Sequence, residues 1–221
     1  MGTALSKSPV MARVVPASAL PSAPSSDPGW NLTNLAGRLV ELSASAKAAH
    51  VTAAFGLVLD AQLGGDTAAW VTLKHSSFFP PDVVSGGVDL DALLVVRVPD
   101  LGMAGRVANH LVRSGGFGLI VIDLSCKNET MTVKTRAADK LPVALLSRLI
   151  RHAQQQNVTV LLLTKKSSRS PSLHSLISLR AEARWHRREG RYDLSVRVLK
   201  DKRYGWKWSH SETCHGPAGL Y

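Results

Sequence analysis

Phe117-Gly-Leu-Ile-Val-Ile-Asp-Leu124 is the stretch on which the fold turns. Apart from Gly118 and Asp123 it is apolar throughout, rich in branched side chains and short. Such a run fits a strand buried on both faces, as in a parallel sheet sandwiched between helices. Asp123 then falls at the carboxyl end of that strand, where α/β sheets of this kind place their ligands.

The segments on either side alternate accordingly. Upstream, residues 102–114 carry Val107, Leu111 and Val112 at helical spacing. Before them Leu93–Val98 (LLVVRV) reads as a strand ended by Pro99. Ala68–Leu73 is another strand, and residues 46–62 predict an Ala-rich helix stopped by Gly64-Gly65-Asp66. Gly37–Leu42 (GRLVEL) is a short strand that leads into it. Downstream, residues 142–156 predict a helix with Pro142 tolerated in its first turn, and Val158–Leu163 (VTVLLL) a second buried strand. Leu179–Trp185 and Asp193–Leu199 follow with no helix between them, so they are expected to pair antiparallel. The sum is an α/β domain with a central, mostly parallel sheet flanked by helices and a C-terminal antiparallel hairpin. No internal repeat is visible.

Composition narrows the function. The chain has 221 residues, is 45% hydrophobic and 19% charged, and carries a formal net charge of +11. It has enough apolar content for a core, and its excess of cations favours an acidic partner such as nucleic acid. Two cysteines, Cys126 and Cys214, support neither a disulfide framework nor a four-cysteine zinc site, and a reducing cytoplasm is expected. The histidines are scattered without paired ligand spacing, so no metal is expected, and Cys214-His215 has no partner ligands. No apolar run reaches the roughly 20 residues of a membrane span. Residues 1–30, rich in Ala, Ser and Pro, are expected to form a disordered arm rather than a signal peptide, because Pro16 and Pro21 break the apolar stretch. The core is expected over 31–205, and a short basic, aromatic tail over 206–221.

The first strand-to-helix turn is the usual phosphate cradle of such sheets. A P-loop needs glycines for a close backbone nest, a lysine for the outer phosphates and a hydroxyl for Mg²⁺. Here the turn reads Ser43-Ala-Ser-Ala-Lys47-Ala-Ala-His50-Val51, without glycine and with its one lysine too early.

The order of elements, and several stretches within them, resemble the RecA recombinase core over roughly residues 30–205. Gly37–Leu42 resembles the strand leading into its P-loop, and the match runs without gaps to Trp70-Val-Thr-Leu-Lys-His75. Val88–Leu94, the Leu111–Gly115 and Leu119–Asp123 pair, Arg148–Leu163 and Val198–Lys202 resemble later elements in the same order. The resemblance places the two P-loop glycines on Ala44 and Ala49, its Lys on His50 and its Ser/Thr on Val51. The catalytic Glu falls on Lys74 and the nucleotide-to-DNA sensor Gln on Lys165, while Walker B Asp123 remains as a relic. An alanine Cβ crowds a backbone that must approach phosphate, and His50 and Val51 supply neither fixed charge nor hydroxyl. The implication is a protein that is not an enzyme and takes no cofactor.

Within that superfamily the chain most resembles the ImuA family, RecA-like accessory proteins of bacterial mutagenesis cassettes. Size, the lead into Gly29-Trp30 and GRLVEL, the shortened second loop and the basic, Trp-bearing end carry that likeness. It implies a role in the DNA-damage (SOS) response, in which the protein binds RecA, an inactive Y-family polymerase partner and an error-prone replicative-type polymerase. Inhibited recombination and mutagenic translesion synthesis would follow. Lys165, Lys166 and Arg169 stand at the place of the family's second DNA loop, and Lys127, Lys134, Arg136 and Lys140 at the first. Arg187, Arg188, Arg191 and Arg203, interleaved with Trp185, Tyr192, Tyr204, Trp206 and Trp208, suit phosphate contact with base stacking, hence single-stranded DNA. Lys200 and Lys202 match residues that reach a neighbouring subunit's nucleotide, and are expected to face RecA. A cytoplasmic, nucleoid-associated location follows. Two other readings stay open: a cell-division inhibitor of the SulA type, and an ATP-dependent repair ATPase using His50 or Lys47 in an unorthodox site.

Overall fold

The computed structural model describes residues 28–45, 49–74, 83–84, 86–125, 141–188, 191–205 and 207–214. The N-terminal arm up to Asp27, Lys47, His75, Cys126, the cations from Lys127 to Lys140, Trp206 and His215 lie outside the described residues.

The chain runs α1 (Leu32–Leu35), β1 (Leu39–Ala44), α2 (Ala49–Leu63), β2 (Ala68–Leu73), β3 (Leu93–Val98), α3 (Leu101–Ser114), β4 (Leu119–Asp123), α4 (Val143–Gln156), β5 (Thr159–Lys165), β6 (Leu179–Arg188), β7 (Arg191–Asp201) and β8 (Ser209–Cys214). One eight-stranded sheet has the order β3-β2-β4-β5-β1-β6-β7-β8. It is parallel from β3 through β6, and β7 and β8 are added antiparallel.

The period of each strand decides which side it feeds. Val40, Trp70, Val121 and Leu161 pack on the face covered by α2, with Leu57 and Val58. Leu39, Val71, Ile122 and Leu162 pack on the opposite face beneath α3 and α4, with Ala108 and Leu149. Burying a Leu or Ile completely contributes about 1.5–3 kcal/mol, so these two apolar layers dominate the favourable side of folding. Phe55 stacks on Trp70 at 4.4 Å and 7° within the first layer. In the second, α3 and α4 approach so closely at Gly105 that a Cβ there would run into Leu145. Helix ends carry ordinary signals. Asp100 Oδ1 accepts from Met103 N–H at 2.7 Å to start α3, and Gly115 (φ 70°) ends it.

The C-terminal sheet is larger than the sequence predicts. β6 and β7 extend past the expected 179–185 and 193–199, because an antiparallel hairpin continues its ladder through the arginines to Arg188↔Arg191. Ser209–Cys214, inside the segment read as a tail, pairs with β7 as β8. The short α1 also goes unpredicted. Its N-cap is Asn31, whose Oδ1 accepts from Asn34 N–H at 3.0 Å.

Candidate ligand site and cationic face

On the α2 side, the carboxyl ends of β1, β2 and β4 and the start of α2 converge. The four residues that the resemblance sets on the P-loop, Ala44, Ala49, His50 and Val51, lie here. The methyl groups of Ala44 and Ala49 are buried in the apolar layer, and Val51 packs half-buried against it. His50 is 5% exposed, and neither ring nitrogen has a hydrogen-bond partner among the described residues. Burial pushes its pKa below the ordinary value; the Asp123 carboxylate opposes this and the Lys165 ammonium adds to it. A neutral imidazole at physiological pH brings no positive charge to a phosphate. Asp123 is buried, and its Oδ1 accepts from Ser125 N–H at 2.9 Å and Ser125 Oγ–H at 2.5 Å, which fixes the turn after β4. Thr72 Oγ1 is buried without a hydrogen-bond partner among the described residues. Lys74 is exposed at the end of β2. Among the described residues no group of three or more His, Cys, Asp or Glu is placed to hold a metal.

On the α4 side the same sheet edge is charged, and sequence reasoning missed its organiser. Glu41, between Val40 and Leu42 of β1, is fully buried. It pairs with Lys166, accepts from Leu173 N–H at 2.9 Å and from Thr164 Oγ1–H at 3.3 Å. Lys166 also donates to Pro171 O at 2.6 Å. Burial lowers the Lys166 pKa from its usual value; the hydrogen bond and charge of Glu41 raise it, and the Arg180 charge lowers it further. Arg180 donates to the carbonyls of Ser167 and Ser170. The loop after β5 is therefore tied to the sheet at several points. Lys165 at the end of β5 and Arg169 in this loop are exposed cations, while Lys166 is turned to Glu41. A lone acid inside an apolar strand was the available signal for Glu41.

Farther along, Arg184 and Arg197 both reach Glu182 Oε2, at 2.9 and 3.3 Å. Glu182 is 1% exposed and its Oε1 has no hydrogen-bond partner among the described residues. Arg187 is exposed on β6, and Arg188 and Arg191 close the hairpin by backbone pairing. Trp185 and Tyr192 meet edge-to-face at 6.2 Å, with Tyr192 42% exposed. Trp208 is buried instead, and its Nε1–H donates to Asp201 Oδ2 at 3.2 Å. Arg203 donates to the Asn34 and Ala36 carbonyls at 3.2 and 3.0 Å, closing the C-terminus of α1. Lys200 is half-buried, and exposed Lys202 donates to Ser175 O at 2.5 Å.

Residues 33–166 match the RecA N-terminal domain family. The chain is 40% identical to protein RecA of Corynebacterium urealyticum over 88 residues, 39% of this chain and 23% of that one. It is 42% identical to protein RecA of Nocardia farcinica over 89 residues, 39% of this chain and 25% of that one. It thus spans about a quarter of the length of the curated relatives it matches. Among solved structures, the RadB recombinase superposes with a TM-score of 0.58 at 14% identity, over 80% of this chain and 87% of that one, a likeness of fold. With most of its sheet inside the matched segment, the chain belongs to the RecA N-terminal domain family.

Proposed function

We propose that this chain is a non-catalytic RecA-like accessory protein of the bacterial DNA-damage response. It binds RecA, the translesion polymerase complex or both, inhibits recombination and promotes mutagenic translesion synthesis. The observation that carries the reading is His50. The position that would hold the phosphate-binding lysine is filled by a buried imidazole held towards its neutral form, with alanine methyls packed on either side of the turn. A protomer that keeps the fold of a filament-forming family but lacks its own nucleotide site can end a heterologous polymer rather than extend it. The exposed cations Lys165, Arg169 and Arg187 support weak, salt-sensitive contact with single-stranded DNA.

Co-sedimentation with RecA filaments on single-stranded DNA and ATP, beside DNA alone, tests the reading. RecA-dependent binding is expected, and Lys200→Ala with Lys202→Ala is expected to weaken it roughly tenfold while leaving binding to DNA alone nearly unchanged. Equal losses would make these lysines ordinary phosphate contacts. Binding only to the tubulin-like division protein would select a division inhibitor.

Nucleotide handling gives a second test. Restoring Ala44→Gly, Ala49→Gly, His50→Lys and Val51→Thr together is expected to leave ATP turnover at background, because Lys74 supplies no carboxylate to activate water. Appreciable turnover, with folding checked by circular dichroism, contradicts the proposal. So does stabilisation of the parent chain by Mg-ATP, which at a hundredfold excess over Kd would amount to about 2.7 kcal/mol.

A further inference from the structure

A cavity of about 230 Å³ lies between α2 and the outer strands β7 and β8, away from the replaced P-loop. Its buried lining is apolar: Trp30, Leu194 and Val196. Its polar lining is half-buried His210 on β8 and Asp60 on α2, with exposed Glu212 on β8. Gly56 of α2 opens the space further, since a Cβ there would meet nothing within 4 Å.

Two carboxylates line this cavity and, among the described residues, no lysine or arginine does, in a chain whose net charge is +11. The parts are held in place before any ligand arrives. Trp30 Nε1–H donates to Ala53 O at 3.3 Å, which fixes the indole. Asp60 Oδ2 accepts from Leu32 N–H at 2.6 Å, which fixes that carboxylate. Glu212 Oε2 lies 3.6 Å from His210 Nε2.

We propose that this cavity receives an arginine side chain presented by a protein partner. An arginine joins an aliphatic stem, which would lie on Leu194 and Val196, to a planar, weakly hydrated cation suited to an indole face and to carboxylates. A nucleic acid is excluded by the sign of the charge. A purely apolar side chain would offer the Asp60 and Glu212 carboxylates neither a hydrogen bond nor a counter-charge. This surface is independent of the nucleotide site and gives the protein a second face with its own partner.

The test uses the full ¹⁵N-labelled chain and two small probes, N-acetyl-arginine methylamide and its neutral isostere N-acetyl-citrulline methylamide. The Trp30 indole N–H, assigned with Trp30→Phe, and the Gly56 amide are expected to shift saturably with the arginine probe. Binding of the citrulline probe is expected to be at least about tenfold weaker. Gly56→Met should fill the cavity without disturbing the core, and Asp60→Asn should remove one charge while keeping an acceptor for Leu32. Each is expected to weaken the arginine probe at least about tenfold with the rest of the spectrum preserved. The proposal is overturned by no saturable shift up to about 50 mM probe, by equal binding of the two probes, or by unchanged binding in Gly56→Met.

Discussion

Replacing Asp201 with alanine is expected to lower stability by about 3–5 kcal/mol, the cost of leaving a buried cation without its partner. Arg38 is 2% exposed at the start of β1, and its Nη1 and Nη2 donate to Asp201 at 3.4 and 2.5 Å. The same carboxylate accepts from Arg203 N–H at 2.8 Å, Tyr204 N–H at 3.3 Å and Trp208 Nε1–H at 3.2 Å. One side chain thus joins the central strand, the turn after β7 and the approach to β8. Urea unfolding followed by tryptophan fluorescence would measure the loss, and the melting temperature should fall by roughly 10 °C. A change below about 1 kcal/mol would show that Arg38 finds water or another acceptor.

Acid should act on the same carboxylate. Burial alone would raise the pKa of Asp201, but hydrogen bonds from Arg38, Arg203 N–H and Trp208, with the Arg38 charge, hold it below the ordinary value. A depressed folded pKa means that the stabilisation is complete above the unfolded value of about 3.9 and is lost as pH falls through the lower folded value. The parent chain should therefore lose stability below about pH 4, and Asp201→Asn should lose less over that window.

The second large effect concerns Glu41 and Lys166. Lys166→Met leaves a fully buried carboxylate with only Thr164 and Leu173 N–H as described donors, and is expected to cost about 3–5 kcal/mol. The double variant Glu41→Gln with Lys166→Met should recover most of that loss, since Gln keeps an acceptor for Leu173 without a charge to bury. Recovery to within about 2 kcal/mol of the parent is expected. Hydrogen exchange at the Leu173 amide should quicken in Lys166→Met and slow again in the double variant. If the two substitutions simply add, the ion pair does not hold the loop.

The parallel part of the fold was legible because each strand buried on both faces is written as an apolar run. FGLIVIDL and VTVLLL have no other economical place than the middle of a sheet, and both lie there as β4 and β5. β8 was not legible, because Ser-His-Ser-Glu-Thr-Cys has no apolar alternation and Thr213 as its one β-branched residue. Its pairing depends on a neighbour, β7, that offers an open edge. The candidate site divides in the same way. The residue types at Ala44, Ala49, His50 and Val51 were readable in the stretch from the end of β1 into α2. Whether a cation is already engaged within the chain was not, since Lys166 and Arg203 differ from Arg169 and Arg187 in acceptors brought near by folding.

The position of β1 has a consequence during synthesis. Leu39–Ala44 is made early, yet its hydrogen-bonded neighbours are β5, which begins at Thr159, and β6, which begins at Leu179. The central strand therefore leaves the ribosome more than a hundred residues before either flank exists, while β2, β3 and β4 can already associate. Arg38 and Asp201, separated by 163 positions, close the longest of these loops. Such long-range closure makes folding slow and leaves an apolar strand uncovered in nascent chains, so the unfinished protein is the form that most needs a chaperone.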